Sequence, residues 1–157
     1  MAKTYIVTTN WGTASMTIDF ITSMQKLDEI GSCKIIVVNN SPEENDEFEK
    51  ISHLANVQLV NTGKNLGYAG GINKGLELAL QDEEMDSVLI TNNDVEFNKD
   101  IIERFRGYPW KNTLLAPIIL SKDTDLVQNT GGKISCLLGG TININKNVAI
   151  KKLVIKK

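Results

Sequence analysis

The sequence has little of what builds stapled or membrane-spanning proteins. It holds two cysteines in 157 residues, Cys33 and Cys136, far apart and each in an apolar or strand-like context. Two buried free thiols in a reducing compartment are expected over a disulfide. There is one histidine, His53, in a segment that reads as a surface helix, where it faces solvent or packs and does not catalyse. No apolar run approaches the ~18 to 20 residues that a membrane helix needs. Met1-Ala2-Lys3 opens onto only a short apolar stretch, unlike a secretory leader. A cytoplasmic protein is expected. Internal repeats, linkers and low-complexity tracts are also missing, so one domain spanning 1–157 around one core is expected.

Acidic residues are absent after Asp125, whereas Lys133, Lys146, Lys151, Lys152, Lys156 and Lys157 all follow it. The first 125 residues hold 11 basic and 19 acidic side chains, a net −8 within an overall −2. An acidic body repels polyanions, so nucleic acid is not an expected partner. The strand-rich basic extension, 126–157, is expected to be a solvated end that keeps exposed strand edges from pairing. Contact with an anionic membrane at its inner face is the alternative for it.

What is present is an alternation of strands and helices. Thr4 to Thr9, Lys34 to Val38, Val57 to Val60 and Ser87 to Thr91 are short β-branched or apolar runs and read as strands. Thr13 to Ile30 has apolar residues at Phe20, Ile21, Met24 and Leu27, a helical spacing closed by Gly31. Ser41-Pro42-Glu43-Glu44 has capping-box character and predicts a helix to about Ala55. Further helices are expected over Ala69 to Leu80 and Lys99 to Phe105. Leu114 to Leu120 reads as a fifth strand that Pro117 confines to an edge or bulge. Short strands follow at Lys133 to Ser135, Thr141 to Ile144 and Val148 to Ile155. The pattern predicts an α/β domain, core 3–125, with a mainly parallel sheet covered on both faces and antiparallel pieces at the C-terminal end.

Ligands in open α/β sheets sit beyond the carboxyl ends of the strands. Four polar segments follow apolar strands at that edge: Thr8-Thr9-Asn10-Trp11, Asn39-Asn40-Ser41, Asn61 to Gly75, and Asn92-Asn93-Asp94. Each alone is ordinary turn chemistry; together they mark a site. The glycines of Asn61 to Gly75 permit positive φ and close backbone approach, and the helix after them offers free N–H groups to an anion. The segment follows the third strand and lacks G-x-G-x-x-G, which disfavours a dinucleotide fold, and it carries no Walker A lysine.

Asn61 to Gly75 reads Asn-x-x-x-Asn-x-Gly-Tyr-Ala-Gly-Gly-x-Asn-x-Gly. It resembles the signature of family 2 glycosyltransferases, especially the rhamnosyltransferase-like members of bacterial surface-polysaccharide synthesis. Val38-Asn39-Asn40-Ser41 before it and Asn92-Asn93-Asp94 after it match the family's flanking motifs in order and spacing, and the resemblance covers roughly Lys3 to Gly140. It implies a GT-A fold, three-layer α/β/α, a nucleotide-diphosphate sugar donor (UDP-, dTDP- or GDP-linked), a glycan or lipid-linked acceptor, and Mg²⁺ or Mn²⁺. Carried over by residue, Thr9 and Asn10 would line the base and ribose pocket. Asn39 stands where the family usually has an aspartate that accepts from the base; an amide oxygen can still accept, without charge. Asn65, Gly67 and Asn73 would shape the loop beside the nucleotide. Asp94 would hold the metal on the diphosphate, with Asn92 in support; Asn92 and Asn93 count among the nucleotide-sugar-binding residues, and Glu96, expected to point outward, is the alternative ligand. Trp11 is placed either to stack on the base or to pack against the first helix. A homo-oligomer is a further implied partner.

The resemblance also implies an acceptor-side segment with a paired carboxylate that supplies the general base. No such pair follows Asp125. The expectation is a glycosyltransferase, or its donor-binding half or a short form that needs a partner, moving a sugar from a nucleotide diphosphate to an acceptor hydroxyl; the alternative is a non-catalytic nucleotide-sugar binding module.

Overall fold

The computed structural model describes residues 3–41, 46–108, 113–135 and 140–153. Two compact units are present, Met1–Pro109 and Trp110–Lys157. The basic extension expected from the sequence lies within the second.

In the first unit, β1 (Lys3–Asn10), β2 (Cys33–Asn39), β3 (Val57–Asn61) and β4 (Met85–Ile90) form one parallel sheet in the order β3-β2-β1-β4. The chain builds β1, β2 and β3 in one direction and then returns to place β4 on the far side of β1. The topological switch is therefore between β1 and β4, where a crevice opens beyond the strand ends. Successive strand residues point to opposite faces, and both faces are apolar. Ile6, Ile35 and Val37 cluster with Phe20, Ile21 and Met24 of α1 (Ser15–Met24), with Ile51 of α2 (Glu49–Ser52) and with Ile102 of α4 (Ile101–Arg106). Tyr5, Val7, Ile36 and Val38 cluster with Ile72 and Ala79 of α3 (Gly67–Ala79) on the other face. The expected cover on both faces is present.

Several boundaries differ from the periodicity. The helix expected to reach Ile30 ends at Met24, although Leu27 and Ile30 still enter the core. The Asp28 N–H donates to the Lys99 carbonyl (3.0 Å), and Glu29 takes φ 61°, so tertiary bonding turns the chain out of the helix. Between Asp46 and Ser52 a single 3₁₀ turn runs into one α-turn, shorter than the helix expected to reach Ala55. The capping sequence after Ser41 lies outside the described residues, as does Cys136.

In the second unit, β5 is only Ile119–Leu120, paired antiparallel with β6 (Val127–Asn129) across a register shift. Pro117 has no N–H to extend it. β7 (Gly132–Ser135) and β8 (Gly140–Asn143) form a second antiparallel pair. Instead of a strand from Val148, a bridge joins Leu126 to Ala149 and a 3₁₀ turn covers Ile150–Lys152. Asn145 and Asn147 take positive φ there, which bends the chain before it can extend.

Candidate functional site

The carboxyl ends of β1, β2 and β3 lie in register, so Asn10, Asn39 and Asn61 stand side by side. Asn10 Nδ2 donates to Asn39 Oδ1 (3.1 Å), and Asn39 Nδ2 donates to Asn61 Oδ1 (3.0 Å). Asn10 Oδ1 accepts from the Thr17 hydroxyl of α1 (2.7 Å), which in turn accepts from Asn93 Nδ2 (2.7 Å). An amide carries both donor and acceptor, so a neutral row can be satisfied without water or charge. That allows Asn10 and Asn39 to be fully buried.

Asn40 points to the opposite face and organises the glycine-rich loop. Its Nδ2 donates to the Gly67 carbonyl (3.0 Å) and to Asn65 Oδ1 (3.3 Å), while its Oδ1 accepts from the Leu66 N–H (3.0 Å). Asn65 Oδ1 also accepts from the Gly67 N–H (2.8 Å), and Gly67 takes φ +71° to admit that turn. Further along α3, a Cβ on Gly75 would collide with Val7 Cγ1 and sit 3.3 Å from Val38 Cγ2. A Cβ on Gly71 would lie 2.8 Å from Thr9 Cγ2. These two glycines let the helix lie flush on β1 and β2.

At the switch point a cleft of about 280 Å³ opens. Thr9, Trp11, Thr13 and Met16 line it from β1 and the start of α1; Tyr68 lines it from α3; Asn92, Asn93 and Asp94 line it from the turn after β4. Trp11 and Tyr68 are 61% and 56% exposed, so neither belongs to the core. The Asp94 carboxylate is exposed and has no hydrogen-bond or ion-pair partner among the described residues. No group of three or more His, Cys, Asp or Glu able to hold a metal occurs among those residues. A cation here would be shared between Asp94 and ligand oxygens, an arrangement that suits Mg²⁺, which is commonly held by one or two carboxylates plus phosphates.

Of the residues singled out from sequence, Thr9, Asn92, Asn93 and Asp94 meet at the cleft. Asn10 and Asn39 do not line it; they are the buried row beneath the rim. Asn65 and Gly67 build the loop turn, and Asn73 is exposed on α3 outside the cleft lining. Trp11 takes the cleft position of its two placements. Sequence reasoning included Asn40 and Tyr68 only as members of their motifs, without a role, and missed Thr17. Strand alternation was the available signal for Asn40, since it must face away from Asn39.

The other ionised clusters lie elsewhere. Tyr5 Oη donates to Asp82 Oδ2 (2.6 Å), with Lys3 and Lys34 at 3.2 and 3.3 Å. The Tyr5 hydrogen bond, followed by the Glu84 backbone N–H, holds Asp82 well below the usual carboxylate range. This cluster ties the turn after α3 to the amino ends of β1 and β2, away from the cleft. Burial pushes the Cys33 thiol up, which keeps it protonated near neutrality.

Residues 5–109 match the family model described as glycosyl transferase family 2. The low-salt glycan biosynthesis hexosyltransferase Agl10 of Haloferax volcanii is 32% identical over 95 residues, 59% of this chain and 30% of that protein. The solved structure of S. aureus TarS 1-349 is similar with a TM-score of 0.53 at 20% identity, covering 66% of this chain and 31% of that one. A longer S. aureus TarS structure gives a TM-score of 0.52 at 20% identity over 66% of this chain and 19% of its own. The chain thus spans about a third or less of the length of these relatives. The structural likeness establishes the fold as the GT-A type, with a mainly parallel central sheet and short antiparallel pairs.

Proposed function

The chain belongs to glycosyl transferase family 2, and on that premise we propose that its first unit seats the nucleotide-diphosphate part of a sugar donor for transfer to an acceptor hydroxyl. The observation that carries this reading is Asp94, a carboxylate without a partner among the described residues, at the switch-point cleft beside two exposed aromatic rings. An uncompensated carboxylate alone repels a diphosphate, whereas with a divalent cation it attracts one. Asp94, supported by Asn92, would hold Mg²⁺ or Mn²⁺. Bound there, such an ion stabilises the negative charge that develops on the departing diphosphate. Trp11 and Tyr68 offer flat apolar faces to a nucleobase. Because Asn39 spends its amide on Asn10 and Asn61, selection among UDP, dTDP and GDP rests on the rings and on main-chain groups at the rim.

The H. volcanii relative is named a hexosyltransferase of glycan biosynthesis, which supports a hexosyl donor and a glycan acceptor; a deoxyhexosyl donor, a lipid-linked acceptor and a place in bacterial cell-surface polysaccharide synthesis belong to the same proposal without that support. Asp94 is the single carboxylate lining the cleft among the described residues, and we place the general base outside that lining. No described helix is long and apolar enough to cross a membrane; contact at an inner membrane face through the basic C-terminal residues, and self-association, belong to the same proposal. Thermal-shift titration with UDP, dTDP and GDP, with and without Mn²⁺, tests the reading. A metal-dependent rise in Tm is expected for at least one nucleotide, and Asp94→Ala removes the metal-dependent part. No shift with any of the three refutes donor binding. Binding without hydrolysis or transfer of a sugar nucleotide would assign the chain to donor binding alone.

A further inference from the structure

One unbroken line of side-chain hydrogen bonds runs from the turn after β4 to the end of β3. Asn93 Nδ2 donates to Thr17 Oγ1, Thr17 donates to Asn10 Oδ1, Asn10 donates to Asn39, and Asn39 donates to Asn61. Every link donates in the same sense. Thr17 is the pivot, fully buried and contributed by α1, whereas the other four members follow or end strands. A threonine hydroxyl has a single proton. With that proton committed to Asn10, the oxygen can only accept from Asn93. Asn93 must then turn its NH₂ inward, which fixes the direction of its carbonyl oxygen and leaves that oxygen and one N–H available to a ligand. A threonine that merely filled space here would be replaced without loss by valine, which has the same shape and no hydroxyl.

We propose that Thr17 is a positioning residue of the cleft: its buried hydroxyl fixes the orientation of Asn93 and so sets the neighbouring Asp94 for the diphosphate and its cation. This rests on the donor-binding reading above. The hydroxyl acts through Asn93 and does not line the cleft itself.

The test uses the whole chain with Thr17→Val, Thr17→Ser, Asn93→Ala and the Thr17→Val/Asn93→Ala pair. The first readout is proton exchange of the Asn93 side-chain amide in the ligand-free protein, followed by NMR. It is expected to be slow in the wild type and in Thr17→Ser, and at least about tenfold faster in Thr17→Val, as follows from losing one half-buried hydrogen bond. The second readout is the Kd for UDP, dTDP and GDP with and without Mn²⁺. Thr17→Val is expected to weaken binding in Mn²⁺ about tenfold, the scale of one stranded donor, with a smaller change in its absence. Thr17→Ser restores the affinity, and Thr17→Val adds no further loss on the Asn93→Ala background.

Unchanged Asn93 exchange and unchanged affinity in Thr17→Val overturn the proposal, as does a serine variant as weak as the valine one. Asn93→Ala reaches the same contact from its half-buried side; if Thr17→Val does not fold, full Mn²⁺-dependent affinity in Asn93→Ala overturns it equally. A wild-type chain that binds no nucleotide refutes the donor reading instead. The Asn93 amide then decides the Thr17 contact by itself, and unchanged exchange in Thr17→Val sinks it.

Discussion

Replacing Gly75 by alanine sets two opposed effects against each other on one atom. In an exposed helix, alanine gains about 1 kcal/mol over glycine because it restricts the unfolded chain and suits the helical backbone. At Gly75 the added Cβ meets Val7 Cγ1 at less than any real contact distance and lies 3.3 Å from Val38 Cγ2. Val7 and Val38 are fully buried in adjacent strands. Their β-branched side chains have few rotamers, so neither can swing aside. Overpacking of this kind costs about 1 to 3 kcal/mol, and more than a single contact is involved here, so the net expectation is a loss of about 1 to 2 kcal/mol. Gly71→Ala meets Thr9 Cγ2 at 2.8 Å; Thr9 is β-branched as well but only half-buried and the single side chain in the clash, so its loss is smaller. Lys74→Ala, exposed between them and paired, among the described residues, with Glu77 alone, is the control and stays within about 0.5 kcal/mol of the wild type. Urea unfolding followed at the amide resonances of β1 and β2 ranks the three. A Gly75→Ala chain as stable as the wild type, or more so, refutes the flush packing of α3 on the sheet.

The remaining expectations rest on single side chains. Thr8 Oγ1 is buried without a hydrogen-bond partner among the described residues, so Thr8→Val should raise unfolding stability by about 1 kcal/mol; a destabilised variant would mean that the hydroxyl has a partner. Trp11→Ala should weaken nucleotide binding about tenfold, the scale of a lost aromatic stack, and leave stability unchanged because Trp11 is mostly exposed; an unchanged Kd removes Trp11 from the site. Asp82 has a depressed folded-state pKa, so its stabilisation is full above the usual carboxylate value and declines as pH falls toward the folded one. Tyr5→Phe removes the largest cause, so stability should fall less steeply with acid than in the wild type, as read from urea midpoints between about pH 2 and pH 6. An equal slope would assign the shift to the Glu84 backbone N–H and the two lysines.

The lengths of β1 through β3 were close to legible, because each strand is a compact apolar run bounded by polar residues. The first helix was overextended for a specific reason. Leu27 and Ile30 continue the helical spacing and do enter the core, but a backbone bond from Asp28 to Lys99, remote in sequence, bends the segment. Pattern alone carries no information about such a bond. Of the strand expected from Val148 to Ile155, the described part is instead a bridge at Ala149 and a 3₁₀ turn over Ile150–Lys152, after a bend at Asn145 and Asn147 whose positive φ apolar composition does not reveal.

The sequence by itself determined the α/β class, the glycine-rich segment before α3, the polar strand ends and the family, because these are local facts of order, spacing and residue type. Only the tertiary structure decided what each polar side chain does. Asn39 and Asn40 are neighbours with the same chemistry, yet the strand's alternation sends one into a buried amide row and the other to clamp the glycine loop. Gly71 and Gly75 serve helix-to-sheet contact, a role that depends on strands dozens of residues away. The return of the chain to place β4 beside β1 opens the cleft and brings Trp11, Tyr68 and Asp94 to one place. Which residues meet there depends on strand order, and strand order depends on how two faces of a sheet are buried at once.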